Sequence, residues 1–447
     1  MARTRLRLDI LPSLHTLAWK GPLNLSVTFM HAGVQTFEIW LSNDIVLDSP
    51  QPFFQDLAIR MPNIINLNIK SDVAIFHYEA DLIDLIHRLP KLRTVTFPQF
   101  YITTKIMEAL SRIPNLGVIE FKYFDEQGRG NPGDVIPFTP CVEEGAFPVL
   151  WDLSVSATIE EVSRLLGLKF APTNLTSLYV DSAIIETAAS VHGFLCRVAD
   201  SCQLLNALFL VSSYHRDLES NDTDDRYKIT FNHLKPLLKM GNLKELEVSH
   251  FYSLALKMED IELLASLWPS LETLVLNNEP VHSLQSELTM EALLPFASHC
   301  PNLTHLGLFV DASRIQTFPH PVTGPVVPFK RLKCLSMGVS IINDDKSVAL
   351  FLSHVLPSGC SVECGVTWMD DELAPDEVYK EVLRRCSWWE RVDNLLPVLI
   401  MLRVEEKDRS RVLEREMSDL RMRNDMLSDT LKSGLGQVMV DNSCVVS

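Results

Sequence analysis

Residues 300–308 read Cys300-Pro301-Asn302-Leu303-Thr304-His305-Leu306-Gly307-Leu308, and the form P-x-L-x-x-L-x-L inside them recurs along most of the chain. Copies stand at Pro12-Ser13-Leu14 with Leu17 and Trp19, at Pro62-Asn63-Ile64 with Leu67 and Ile69, at Pro90-Lys91-Leu92 with Val95 and Phe97, and at Pro114-Asn115-Leu116 with Ile119 and Phe121. Others open at Pro148, Thr173, Gln203, Gly241, Pro269 and Lys330, and a degenerate one runs Val34, Phe37, Ile39. The first apolar position of each copy (14, 34, 64, 92, 116, 150, 175, 205, 243, 271, 303, 332) gives eleven intervals over 318 residues, a mean of about 29.

The last two apolar residues of each copy are two apart, so both point to one side of a short strand while the residues between them face the other. Between copies lie apolar positions three and four apart, such as Leu82, Leu85, Ile86 and Leu89, or Ile261, Leu264 and Leu267. These read as amphipathic helices covering the strands. Thr158-Ile159-Glu160-Glu161 has the form of a capping box at one helix start, and the Pro opening a copy ends the helix before it. A unit of strand, turn, helix, turn with this period is a leucine-rich repeat. The expected fold is an α/β solenoid over residues 1–368, a curved parallel sheet inside and helices outside.

Composition sets the surroundings. A formal charge of -17 disfavours a nucleic-acid backbone as partner, since phosphate binding needs clustered Lys and Arg; a basic or neutral protein surface is the more natural target. No stretch reaches eighteen consecutive apolar residues and no apolar signal core follows Met1, so neither secretion nor a membrane is expected. Nine singly scattered cysteines suit reduced thiols in the cytoplasm or nucleus.

The motifs that suggest chemistry have plainer readings. Gly128-Arg129-Gly130-Asn131-Pro132-Gly133 spells G-x-G-x-x-G, but Pro137 and Pro140 follow where a phosphate-binding helix would need its first turns, so it is read as a surface loop. Asn24, Asn174, Asn221 and Asn302 head formal glycosylation sequons that should go unused without a secretory signal. Cys360, Cys364 and Cys386 with His354 lack the paired short spacing of structural zinc sites. No nucleophile, base and acid recur in a catalytic spacing, so neither an enzyme nor a cofactor is expected.

Ser201-Cys202-Gln203-Leu204-Leu205-Asn206-Ala207-Leu208-Phe209-Leu210 and Ser298-His299-Cys300 through Leu308 resemble the cysteine-containing repeats of F-box/leucine-rich-repeat proteins, particularly the divergent fungal set. The likeness covers about residues 10 to 368, and the segment from Leu356 to Cys364, with Val366 and Trp368, resembles a closing strand unit. That resemblance implies repeats that hold a substrate while an N-terminal F-box docks onto the adaptor of a cullin-based ubiquitin ligase. Here the first copy already stands at Pro12 and no L-P-x-E segment precedes it. A receptor that lost its F-box, a start truncated upstream and a relative that never had one all fit, so a ligase adaptor is expected only with an F-box upstream.

Tyr123 to Ala146, Tyr214 to Arg226 and Arg314 to Pro328 exceed the period and are expected as surface loops, the second disordered. After the last strand, Pro375 to Arg385 reads as a helix, and Trp388, Trp389, Val392, Leu395, Leu396, Val398, Leu399 and Leu402 form a cap over residues 369–402. Residues 403–433 place Leu413, Met417, Leu420, Asn424, Leu427 and Leu431 in four-three alternation, with Glu416 and Arg421 at g and e positions. This suits a short parallel coiled coil and a homodimer, or a solvated or cap-bound helix; residues 434–447 read as a loose tail. The expected protein-binding surface is the set of outward residues between the inward leucines: Tyr179, Asp181, Phe209, Val211, Glu245, Glu247, Val275, His305 and Phe309.

Overall fold

The computed structural model describes residues 10–42, 51–122, 127–212, 225–282, 284–314, 326–367 and 376–440, with side chains described for 377–429 of the last segment. The repeat copies become thirteen strands, β1 (Thr16–Trp19), β2 (Thr36–Leu41), β3 (Asn66–Ser71), β4 (Thr94–Pro98), β5 (Val118–Lys122), β6 (Asp152–Ser156), β7 (Ser177–Ser182), β8 (Ala207–Ser212), β9 (Glu245–Val248), β10 (Thr273–Leu276), β11 (His305–Leu308), β12 (Cys334–Gly338) and β13 (Ser361–Cys364). They form one open sheet in chain order. Every neighbouring pair is parallel. The fold is a leucine-rich-repeat solenoid.

Each strand is short, so its stability comes from its neighbours. The inward residues Leu178, Leu208, Leu246, Leu274, Leu306 and Leu335 stand in register and are fully buried. Burying each side chain of this row contributes about 1.5–3 kcal/mol. A second row, in the backbone, runs beside it just before the strands. Gln35 N–H donates to His15 C=O at 2.8 Å, and the same link repeats through Lys244 to Asn206 at 2.7 Å and on to Ser361 to Lys333 at 2.9 Å.

Helices cover the outer side. Leu82, Leu85 and Ile86 of Glu79–His87 face the core, as do Ile261 and Leu264 of Met258–Leu267. Leu267 is 38% exposed, so the apolar stripe there is one residue narrower than its spacing suggests. The expected capping box is present: Thr158 accepts from Glu161 N–H, and the Glu161 side chain accepts from Thr158 N–H.

The glycine-rich stretch is not a free surface loop. Gln127 donates to Asn68 Oδ1 and Ile69 C=O, Ser71 N–H donates to Gln127 C=O, and Gly130 N–H donates to Gln99 C=O. A Cβ on Gly128, at φ +79, would lie 2.2 Å from Ser71 O, and one on Gly130 would lie 2.8 Å from the Tyr101 ring. The glycines allow a rim segment to press against the ends of β3 and β4. Beyond them Val135, Phe138, Val142 and Phe147 are buried, so residues 127–147 are packed structure. Residues 123–126, 213–224 and 315–325 of the three insertions lie outside the described residues.

One helix, Asp376–Val440, runs through the segments expected as cap and extension and on into the expected tail. Residues 434–440 continue it; 441–447 lie outside the described residues. Trp389, Val392, Leu396 and Ile400, three or four apart, are buried against the open end of the solenoid, while Leu395, Val398 and Leu402 face outward. The helix also serves the polar groups of that end. Trp389 Nε1 donates to Ser340 C=O at 3.0 Å, Arg385 to Val339 C=O at 2.8 Å, and Val362 N–H, on the edge strand β13, donates to Asp393 Oδ1 at 2.8 Å. The helix thereby takes up one of the edge groups with which a further strand would pair.

Candidate functional site

The free side of the sheet is set by the same alternation that builds the core. Ser154, Tyr179, Phe209, Glu247, Val275, Gly307 and Ser336 are register partners in one row across β6 to β12. Tyr179 and Phe209 are half-buried and stacked, ring centroids 5.5 Å apart and planes 19° from parallel. Phe121, read from sequence as an inward position, instead lies edge-on to Tyr179 at 5.3 Å. The reason is local: β5 pairs with β6 only at Val118 and Ile119, so Phe121 is released from the shared core.

Of the expected contact residues, Tyr179, Phe209, Val211, Glu245, Glu247 and His305 are half-buried on this side. Three others are not available for contact. Asp181 is fully buried and accepts a hydrogen bond from Gln99 at the end of β4, three strands away, so it ties the rim together. Val275 is 8% exposed and fits against Gly307, where a Cβ would approach its methyl group to 3.1 Å. Phe309 is 5% exposed and packs with Val339 and with Val382 of the C-terminal helix. It does point away from the repeat core, but the helix covers it.

Charge divides the face into two halves. Strands β1 to β5 carry Glu38, Lys70, Glu120 and Lys122, paired as Lys70 with Glu38 at 2.8 Å and Lys122 with Glu120 at 3.5 Å. Strands β6 to β13 carry Asp152, Asp181, Glu245, Glu247 and Glu363 and not one Lys or Arg. Burial raises the Glu247 carboxyl above its usual range, with the Ser249 hydroxyl opposing and Glu279 adding. Burial likewise raises Asp152, against a hydrogen bond from Ser177 and with Glu120 adding. His305 is pushed down by burial while Glu363 opposes, and its Nε2 is buried without a hydrogen-bond partner among the described residues.

Of the cysteines flagged in the sequence, Cys360 and Cys364 belong to the last repeat, Cys364 in β13, and Cys386 to the C-terminal helix packed on it. Cys364 Sγ is 3.5 Å from the Cys386 carbonyl oxygen and His354 contacts Arg403. Among the described residues no group of three or more His, Cys, Asp or Glu is arranged to hold a metal ion, and no helix is long and apolar enough to cross a membrane.

No family model and no curated protein sequence matches the chain. Similar solved structures include the leucine-rich-repeat-containing protein LegL7 from Legionella pneumophila, at 12% identity and TM-score 0.34, covering 83% of this chain and 96% of that one. The Rad7 and Elc1 complex from yeast aligns at 15% identity and TM-score 0.34, covering 78% of this chain and 80% of that one. The TLR13-ssRNA13 complex aligns at 17% identity and TM-score 0.31, covering 75% of this chain and 46% of that one.

Two expectations follow. Phe309→Ala should cost about 3–5 kcal/mol, as for a large buried side chain, whereas Phe209→Ala should leave the fold within about 1 kcal/mol; paired denaturant titrations check the contrast, and equal losses would contradict it. The second concerns Glu247. Because its pKa is raised in the fold, the charged form is penalised above that pKa and the penalty vanishes as pH falls through it. Glu247→Gln should therefore melt above wild type at about pH 7.5, with the gap closing by about pH 4; a variant that melts lower at the higher pH would contradict the assignment.

Proposed function

We propose that the protein is a non-catalytic recognition solenoid that holds a protein partner on the concave sheet face around β7 to β9. The observation that carries this reading is the Tyr179 and Phe209 stack, half-exposed in the middle of a sheet whose own hydrogen bonds are satisfied. Rigid rings flanked by carboxylates have the anchor-and-rim organisation of protein interfaces. The finer reading is the substrate receptor of an F-box-type ubiquitin ligase, supported by the cysteine-containing repeats at residues 201–210 and 298–308. Affinity capture from the native cells, with mass spectrometry, tests both levels. One enriched target that is lost with Phe209→Ala, at unchanged protein yield, supports face recognition; co-purification of a cullin-ligase adaptor supports the finer role. A target retained in full by the variant would refute the anchor.

A second reading, a dimeric scaffold, is favoured by a separate observation. Leu413, Met417, Leu420 and Leu427 are 52–63% exposed along the helix beyond the cap, in the a and d rhythm. Asn424 in this seam meets its own copy in a parallel pair, where two amides satisfy each other, and Glu416 then faces Arg421. Sedimentation should give a concentration-dependent dimer that is lost on truncation after Leu402, with Asn424→Leu tightening association and relaxing its preference for two strands. A monomer at high concentration, unaffected by either change, would exclude this reading.

A further inference from the structure

We infer that the acidic half of the concave face takes an arginine-bearing segment of its partner, the guanidinium stacked on Phe209 and paired with Glu247 and Glu245. This rests on the reading of that face as the contact surface and specifies what the surface selects.

Phe209 is the direct partner of Glu247, and Ala207 that of Glu245, on adjacent parallel strands about 4.8 Å apart. A half-exposed ring thus lies one strand from two half-buried carboxylates, and Ala207 is too small to stand between them. Glu247 accepts from Ser249 Oγ at 3.2 Å, and neither glutamate has a basic partner among the described residues. The contrast with the first five strands is informative, because there each acid of the face has its lysine. A chain that neutralises Glu38 and Glu120 internally leaves Glu245 and Glu247 for a charge from outside.

The chemistry of that charge follows. A planar, weakly hydrated cation can stack on an aromatic face and bind a carboxylate with two parallel N–H donors, and arginine does both. Lysine offers a compact, strongly hydrated charge that stacks less well and cannot pair in that planar two-donor geometry. A phosphate backbone would meet carboxylates without a cation on these strands.

The test uses the full-length chain and two soluble peptides of about ten residues, one of Arg-Gly-Ser repeats and one with Lys in place of each Arg, titrated calorimetrically at low and physiological salt. The Arg peptide should bind, more weakly at higher salt, and the Lys peptide about tenfold more weakly or worse. Glu247→Gln and Phe209→Ala should each reduce Arg-peptide affinity about tenfold or more, while Glu38→Gln in the balanced half leaves it unchanged. Equal affinity for both peptides, no binding, or an effect of Glu38→Gln equal to that of Glu247→Gln would overturn the inference. A photo-crosslinker at position 209, used in native lysate, separates this from the broader reading: adducts to Arg-free segments would sink the arginine inference and leave face recognition standing, whereas adducts only from control positions on the outer helices would remove both.

Discussion

The structure depends on one constraint: no repeat can bury its own inward leucines. Leu178, Leu208, Leu246, Leu274 and Leu306 are dry only because each has a neighbour on either side. Stacking makes the strands parallel, keeps them in chain order and leaves the two ends as the weak places. At the C-terminal end Trp389, Val392 and Leu396 supply the missing neighbour, and Asp393 accepts from Val362 N–H of the last strand. The same helix continues beyond the solenoid, so the element that seals the stack also carries the exposed seam.

How much of this was legible follows from the range of the interactions involved. Strand positions are set by a period of two within a few residues, and the repeats announced them; the degenerate Val34, Phe37, Ile39 copy proved sufficient for β2. The candidate site was less legible, because exposure there is decided by segments far along the chain. Asp181 is claimed by Gln99, 82 residues earlier. Phe309 is covered by Val382, and Phe121 escapes the core where β5 and β6 part. The G-x-G-x-x-G stretch carried a signal of a different kind: glycines marked a close approach of backbone, and the approach is to the ends of β3 and β4.

What remains exposed is a smaller and more specific surface than alternation alone suggests. It has a stacked aromatic centre, the carboxylates Glu245 and Glu247 without a lysine partner among the described residues, and a balanced half beside it.

The central claim is that one alternation separates the residues that make the fold from those left for recognition. A saturation substitution scan of β6 to β11 in the full-length chain, read as folded abundance in cells, tests it most directly. The account expects polar substitutions to deplete abundance at the inward positions of every strand, to spare Tyr179, Phe209, Glu245 and Glu247, and to deplete the buried outward positions Asp181 and Val275. Sensitivity spread evenly over both sides of the strands, or a tolerant inward row, would contradict it.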